Sequence, residues 1–373
     1  MKMFLVCSGL GQINRGFETF TLECFEALTK VPSLDATLFK GGGRSQDKAI
    51  KLWNFSRNTS MAKRLGKTTG RSAYYIEQLT FTLSLLPYIR QKKPDVIFFS
   101  DGTIGNLLWH WRRTTKQMYK LLFSNGGPLS PPFSRWDYVH QLTPSHLQTA
   151  LDAGEPVTKQ SMIPYGIQVN NQLQIMRDIE RQALRRQLGL PAEKPIILTV
   201  GTINQSHKRM DYVIREVAAL REPRPYLVML GQFDEESAEV ISLGNQLLGR
   251  DNFQAKTVPY HKIAKYYQIA DAFVLASLNE GFGRVLLEAM SHGLPCLVHD
   301  YDVTRFVLGQ EGYFADFRAT GSLAELIKAT LTSQDKAKKL RRHQSVYKRF
   351  SWDTLRPMYV DMILRCAKSC PPY

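Results

Sequence analysis

The stretch that most constrains this chain is 271–300, DAFVLASLNEGFGRVLLEAMSHGLPCLVHD. AFVLAS is a short unbroken apolar run, the pattern of a parallel strand covered on both faces. LNEGFG interrupts it with two glycines, RVLLEAMSH continues as a helix closed by Gly293 and Pro295, and CLVHD returns as a strand. Strand, glycine loop, helix and strand make one βαβ unit, which places the chain in the α/β class. The loop falls at the carboxyl end of a strand, where open α/β sheets bind ligands. Backbone N–H groups near Gly283 and Arg284 form an anion site at the helix start. Glu280 precedes that helix and Glu288 lies within it. A positive helix end between two carboxylates suits a ligand with both phosphates and hydroxyls. The same residues also admit a plain reading, with Arg284 and Glu288 as an i,i+4 pair and Glu280 as a solvated loop acid.

EGFGRVLLEAMSHGLP, with GFG, EAM and GLP in phase, resembles the Glu-x7-Glu signature of retaining, nucleotide-sugar-dependent glycosyltransferases of the GT-B fold (family 4). The resemblance implies two Rossmann-like α/β domains facing each other across a cleft. It implies a nucleoside-diphosphate sugar as donor, with no cofactor and no obligatory metal, and no Asp-x-Asp metal pattern is expected in a site loop. Residue by residue, it implies Glu288 for the ribose hydroxyls and Glu280 for the donor sugar. The amides around Phe282, Gly283 and Arg284 then approach sugar and diphosphate.

Earlier in the chain, residues 3–7 read as a first strand, followed by a turn with Gly9, Gly11 and Gly16 and a helix to about Leu28. Where the family has a glycine pair near the donor diphosphate, Arg15-Gly16 stands here, so only Gly16 carries over. DATLFK reads as a strand, 44–70 as a basic, poorly patterned stretch, 72–91 as a helix, and PDVIFFSDG as another buried strand. Relatives carry histidines along or after that strand. Phe98 and Ser100 occupy those places here, leaving Asp101 as the candidate for orienting the acceptor hydroxyl, or as the N-cap of the next helix. His110, between Trp109 and Trp111, reads as a packed ring. SHLQTALDAG reads as a helix capped by Ser145 and closed by Gly154.

Pro164-Tyr165-Gly166 marks the expected boundary. That gives 1–166 as the acceptor-side domain, 167–350 as the donor domain, and 351–373 as a closing helix crossing back to the first. PIILTVGTINQSHKRMDYVIREVAAL opens the second domain as strand, glycine turn and helix. In the family a Gly-Arg turn and a following Lys contact the diphosphate. Gly201-Thr202 lacks the Arg, Lys208 matches the Lys, and Arg209 is the candidate for the second charge. Two cations at a helix start oppose its dipole, and a bound anion would account for them.

Composition narrows the function classes. A length of 373 residues suits two ordinary domains. Five cysteines without a CxxC pair, Cys366 and Cys370 among them, read as thiols of a reducing compartment. The opening apolar run is too short for a signal peptide and no stretch approaches a membrane span. The expectation is a cytoplasmic protein, peripheral on the inner face of a membrane if its basic region meets lipid. Net charge is +16 with a pI near 9.6, and residues 44–120 hold fifteen Lys and Arg against four acids. That asymmetry points to an anionic partner. Lys63, Arg64, Lys67 and Arg71 interleave with Trp53, Phe55, Tyr74 and Tyr75, and an anionic membrane and an acidic soluble acceptor both fit them.

The resemblance implies transfer of a sugar from a nucleoside diphosphate to a hydroxyl of a sugar or lipid-linked acceptor, with configuration retained. Cell-surface polysaccharide or glycolipid assembly is the expected setting. A glycosidase using Glu280 and Glu288 fits poorly, because eight helical residues span about 12 Å and such pairs need roughly 5–9.5 Å. A nucleic-acid-binding protein would explain the charge, but no recognition signature is present. A catalytically inactive scaffold of the same fold remains the alternative, kept open by the absent Arg and histidines.

Overall fold

The computed structural model describes residues 1–13, 15–332 and 335–369. The chain divides into two compact units, one formed by 1–168 with the segment from Ser351 onward, the other by Val169–Phe350.

The first unit runs β1 (Lys2–Cys7), α1 (Gly16–Leu28), β2 (Asp35–Lys40), β3 (Ala49–Lys51), α2 (Ser60–Thr69), α3 (Ala73–Lys92), β4 (Val96–Phe99), α4 (Gly102–Thr115), β5 (Lys120–Ser124), β6 (Tyr138–Gln141), α5 (Pro144–Asp152) and β7 (Gln160–Met162). The sheet is parallel in the order β3-β2-β1-β4-β5-β6-β7. Phe4, Val6, Phe39, Ile97, Leu121 and Phe123 of its strands meet Phe81, Leu85 and Leu108 of the helices in one core. Each such side chain contributes about 1.5–3 kcal/mol when fully buried.

The second unit runs α6 (Asp178–Gln187), β8 (Ile196–Val200), α7 (Met210–Ala218), β9 (Tyr226–Leu230), α8 (Ser237–Leu248), β10 (Phe253–Lys256), α9 (Tyr260–Ile269), β11 (Ala272–Leu275), α10 (Arg284–Ser291), β12 (Cys296–His299), α11 (Asp302–Leu308), β13 (Tyr313–Ala315), α12 (Ser322–Thr332) and α13 (Lys336–Phe350). Its sheet is parallel in the order β10-β9-β8-β11-β12-β13. The last helix, α14 (Trp352–Lys368), belongs to the first unit. There Trp352 covers Gly166, where a Cβ would lie 2.6 Å from the indole, and stacks 6.0 Å from Phe20.

In both sheets the order of strands reverses at one place, between β1 and β4 and between β8 and β11. The crevice at the carboxyl ends of such a pair is where this architecture holds ligands.

Two local details differ from the sequence reading. Residues 44–70, poorly patterned in sequence, hold β3 and α2. Helix α2 buries only Ala62 and Gly66, and a Cβ on Gly66 would lie 2.7 Å from the Arg71 carbonyl. Close approach through small residues leaves no apolar stripe to read. Ser145 does not cap α5. Thr143 does, its hydroxyl accepting the His146 N–H at 3.3 Å, with Pro144 following at the start of the helix. Gly154 (φ +86°) does follow that helix. Cys7, Cys24, Cys296 and Cys366 are buried thiols, and Cys370 lies outside the described residues. Among the described residues, no helix is long and apolar enough to cross a membrane.

Candidate functional site

β8 ends at Val200, and Gly201 turns the chain over the top of the sheet. A Cβ on Gly201 would lie 3.1–3.3 Å from the Lys208 side-chain carbons, so the lysine stem rests on the bare glycine backbone. Asn204 fixes the rest of the turn. Its Oδ1 accepts the Lys208 N–H at 2.8 Å and its Nδ2 donates to Asp234 at 3.0 Å. Lys208 Nζ is thereby carried to Glu280, with which it forms an ion pair. The two side chains are 17% and 12% exposed, shielded enough for the pairing to matter and still open to a ligand.

Glu280 sits in the turn between β11 and α10. The Tyr301 ring, in the turn after β12, approaches it and stacks on His299 at 5.9 Å. Burial, and then the nearby Glu280 charge, push the Tyr301 phenol well above its ordinary pKa, so it remains a protonated neighbour. Phe282 is buried and packs edge-on against Phe350 at 6.1 Å. Gly283 takes the left-handed conformation (φ +74°) that starts α10, a geometry costly for other residues.

Glu288 lies one helical turn beyond Arg284, 3.7 Å from its guanidinium. Tyr267 donates to Glu288 at 3.0 Å and Tyr260 at 3.2 Å. Tyr267 is buried, and burial together with Glu288 raises its pKa. His292 stacks on the Tyr267 ring at 5.5 Å and its Nδ1 meets the Glu288 carbonyl at 2.9 Å. The carboxylate is thus held from three sides.

Arg209 is placed differently from the sequence expectation. Its backbone is left-handed (φ +50°) at the N-cap of α7. Its guanidinium donates to the Phe317 carbonyl at 2.9 Å and lies 4.5 Å over the Tyr212 ring. An Asp-x-Asp does stand at Asp300-Tyr301-Asp302, against the expectation that no site loop carries one. Arg305 holds Asp300 with two hydrogen bonds of 2.6 Å.

The remaining two candidates belong to the first unit. Gly16 is the first residue of α1. Asp101 follows β4 and occupies the N-cap position of α4, yet its side chain makes no capping bond; it accepts a hydrogen bond from the Tyr74 hydroxyl instead. Burial raises the Asp101 pKa to about 6. His110 is exposed, with its ring 4.8 Å from that of Trp109.

Sequence reading missed Tyr260, Tyr267 and Tyr301. Tyr260 and Tyr267 sit seven residues apart on one face of α9, a spacing that reads as ordinary amphipathicity. Tyr301 follows a strand end, which is the one signal that could have singled it out.

Residues 180–345 match the family model of glycosyl transferases group 1. A D-inositol 3-phosphate glycosyltransferase of Xylanimonas cellulosilytica is 28% identical over 51% of this chain and 47% of its own length. The alpha-galactosylglucosyldiacylglycerol synthase of Streptococcus pneumoniae is 26% identical over 54% of this chain and 53% of its own. The chain spans about half the length of these curated relatives. Among solved structures, the sucrose-phosphate synthase of Thermosynechococcus elongatus superposes with a TM-score of 0.77 at 18% identity, over 98% of this chain and 100% of that one. Anabaena HepE in complex with UDP-glucose gives 0.74 at 14% identity, over 98% and 99%. These likenesses establish the fold, two Rossmann-like parallel-sheet units of the GT-B type.

Proposed function

We propose that this chain, whose residues 180–345 match the glycosyl transferases group 1 model, moves a sugar from a nucleoside diphosphate to an acceptor hydroxyl with retention of configuration. The observation that carries this reading is the Lys208–Glu280 pair resting on Gly201, at the carboxyl ends of β8 and β11. A diphosphate competes with Glu280 for Lys208. Once bound, it leaves Glu280 to accept hydroxyls of the sugar, while Glu288, held by Tyr267, accepts those of the ribose. In the reaction the bond from the anomeric carbon to the diphosphate oxygen breaks and one to the acceptor oxygen forms. The acceptor's proton leaves with the diphosphate or to solvent. Lys208 and the amides at Gly283 and Arg284 meet the charge that grows on the leaving group, the term that preorganised donors stabilise most.

Thermal stabilisation by a panel of nucleoside diphosphates and their sugars tests the reading without an acceptor. UDP-glucose is the first donor to try, because the HepE structure holds it. Stabilisation by at least one nucleotide, lost in Lys208→Ala, is expected. No response to any nucleotide would leave the inactive-scaffold reading in its place.

The acceptor reading adds a surface. On α2, Met61, Lys63, Arg64 and Lys67 are exposed, and Trp53 just before it is 62% exposed. A cationic helix beside an exposed indole suits an anionic bilayer, each cation contributing about 1 kcal/mol near such a surface. A lipid-linked acceptor, reached by a cytoplasmic enzyme docked on the membrane's inner face, follows. The pneumococcal relative, a glycolipid synthase by name, supports it.

A further inference from the structure

The first unit carries a second cluster of ionisable side chains, at its own strand-order reversal. Arg57, in the stretch between β3 and α2, donates to Glu77 of α3 through Nε at 2.9 Å and Nη2 at 2.6 Å, and its backbone N–H adds a third bond at 2.9 Å. Ser8, at the end of β1, donates to the same carboxylate at 2.8 Å. Burial alone would raise the Glu77 pKa, but Arg57 overrides it and the carboxyl stays below its ordinary value. The other face of the Arg57 guanidinium lies 3.7 Å over the Tyr74 ring, and the Tyr74 hydroxyl donates to Asp101. Glu18 of α1 closes the cluster. A Cβ on Gly9 would lie 2.5 Å from Glu18 Oε1 and 3.3 Å from Arg57 Nη2, so a bare backbone is what admits both groups.

Two features of this cluster point to a ligand. Glu18 is 4% exposed, and among the described residues its Oε2 has no hydrogen-bond partner, a costly state for a buried carboxylate. Asp101 stands where a helix cap belongs and does not cap. The charges then say what kind of ligand fits. Glu77 takes Arg57, and Glu18 is the partner of Arg15 at 3.4 Å, so Asp101 is the surplus charge. A phosphate would meet that carboxylate without a cation to spare. A hydroxyl would donate to it.

We propose that the carboxyl ends of β1 and β4 form an acceptor subsite in which Glu18, Arg57, Tyr74 and Asp101 receive the hydroxyls of an uncharged sugar or polyol ring. The proposal rests on the glycosyl-transfer reading and adds the class of acceptor. Tyr74, 36% exposed, is its outer wall, and Gly9 its floor. The groups that face Asp101 are Tyr74 from α3, Arg57 from the stretch before α2, Arg15 and Glu18 at the start of α1, and the buried Cys7 of β1. Tyr74, Arg57 and Arg15 favour the carboxylate, while burial and Glu18 oppose it. Ring binding through the ionised form therefore weakens as pH falls through the Asp101 transition, near 6.

The test is saturation-transfer NMR on the full chain, with methyl glucoside, methyl galactoside and myo-inositol against glucose 6-phosphate and inositol 3-phosphate. At least one neutral ring should bind, more tightly than its phosphorylated counterpart. Its affinity should fall about ten-fold in Asp101→Asn, while the thermal shift caused by UDP, which reads the donor side alone, stays the same. In the wild type the affinity should titrate with a midpoint near 6, and Tyr74→Phe should move that midpoint upward, which a purely structural tyrosine would not do. Dodecyl glucoside in neutral vesicles separates the sources. Tighter binding there assigns the ring to a lipid-linked acceptor, and equal binding assigns it to a free one. Tighter binding of the phosphorylated rings, unaltered binding in Asp101→Asn, or no neutral ring bound at tens of millimolar would each overturn the proposal.

Discussion

Asp101→Asn should make the protein more stable at neutral pH while it impairs the site. Asp101 has a pKa raised from 3.8 to about 6, and burial is the principal cause. The folded state therefore binds an extra proton between roughly pH 4 and 6, where the unfolded chain has already released it. Stability falls as pH rises through that window, and above it the full cost of a buried carboxylate is present. A shift of about two units corresponds to about 3 kcal/mol at 1.36 kcal/mol per unit. Asp101 is only half-buried by surface area, and solvent screening reduces the figure to about 1–2 kcal/mol. Asparagine keeps the oxygen that accepts from Tyr74 and carries no charge at any pH. For a unit of this size the gain translates into about 2–8 °C in melting temperature. The assay is calorimetry of both proteins between pH 4 and 8, following the transition of the first unit. The two should melt together at pH 4 and separate progressively above pH 5, with the variant higher. A variant less stable at pH 7.5 would refute the reasoning, since Arg57 and Arg15 would then outweigh burial.

On the donor side, Lys208→Ala and Glu288→Ala should each weaken nucleoside-diphosphate binding roughly ten- to a hundred-fold by calorimetry, the cost of a lost charged hydrogen-bond partner. Unchanged affinity in a folded Glu288→Ala protein would remove it from the ribose. Glu280→Gln frees Lys208 from its ion pair, so the nucleotide should bind at least as tightly while kcat drops, the pattern of an interaction made chiefly in the transition state; a parallel loss of affinity would contradict that role. Changing Lys63, Arg64, Lys67 and Arg71 to Ser should abolish sedimentation with anionic vesicles at low salt, and salt should weaken the wild-type interaction through screening. Equal partitioning onto neutral vesicles would remove the basic surface from the membrane reading.

How much of this was legible beforehand depended on whether the deciding contact was local. The β11–α10 stretch announced itself because a run buried on both faces, a glycine with positive φ and a helix stop all fall within thirty residues. The β8–Gly201–Lys208 turn was legible for the same reason. Helix α2 was not, because it packs through Ala62 and Gly66 and shows no large apolar face. Nor was the cluster around Asp101, whose members come from five separate segments. Glu77, which in sequence merely interrupts an apolar run, turns out to be the buried partner of Arg57. Arg209 shows the opposite case. Position beside Lys208 suggested a shared ligand, whereas a left-handed backbone sends its side chain to the Phe317 carbonyl.

On the proposed reading, the Lys208–Glu280 pair also bears on how the nucleotide product leaves. A cation waiting unpaired in a shielded pocket would hold a departing diphosphate tightly, and product release would slow turnover. Here the lysine has an internal competitor one side-chain movement away. On that reading, Glu280 would recapture the ammonium as the diphosphate leaves, so that neither charge is left stranded in the shielded turn. The carboxylate proposed to face the sugar in the forward step would then act as a latch afterwards, clearing the site for the next donor.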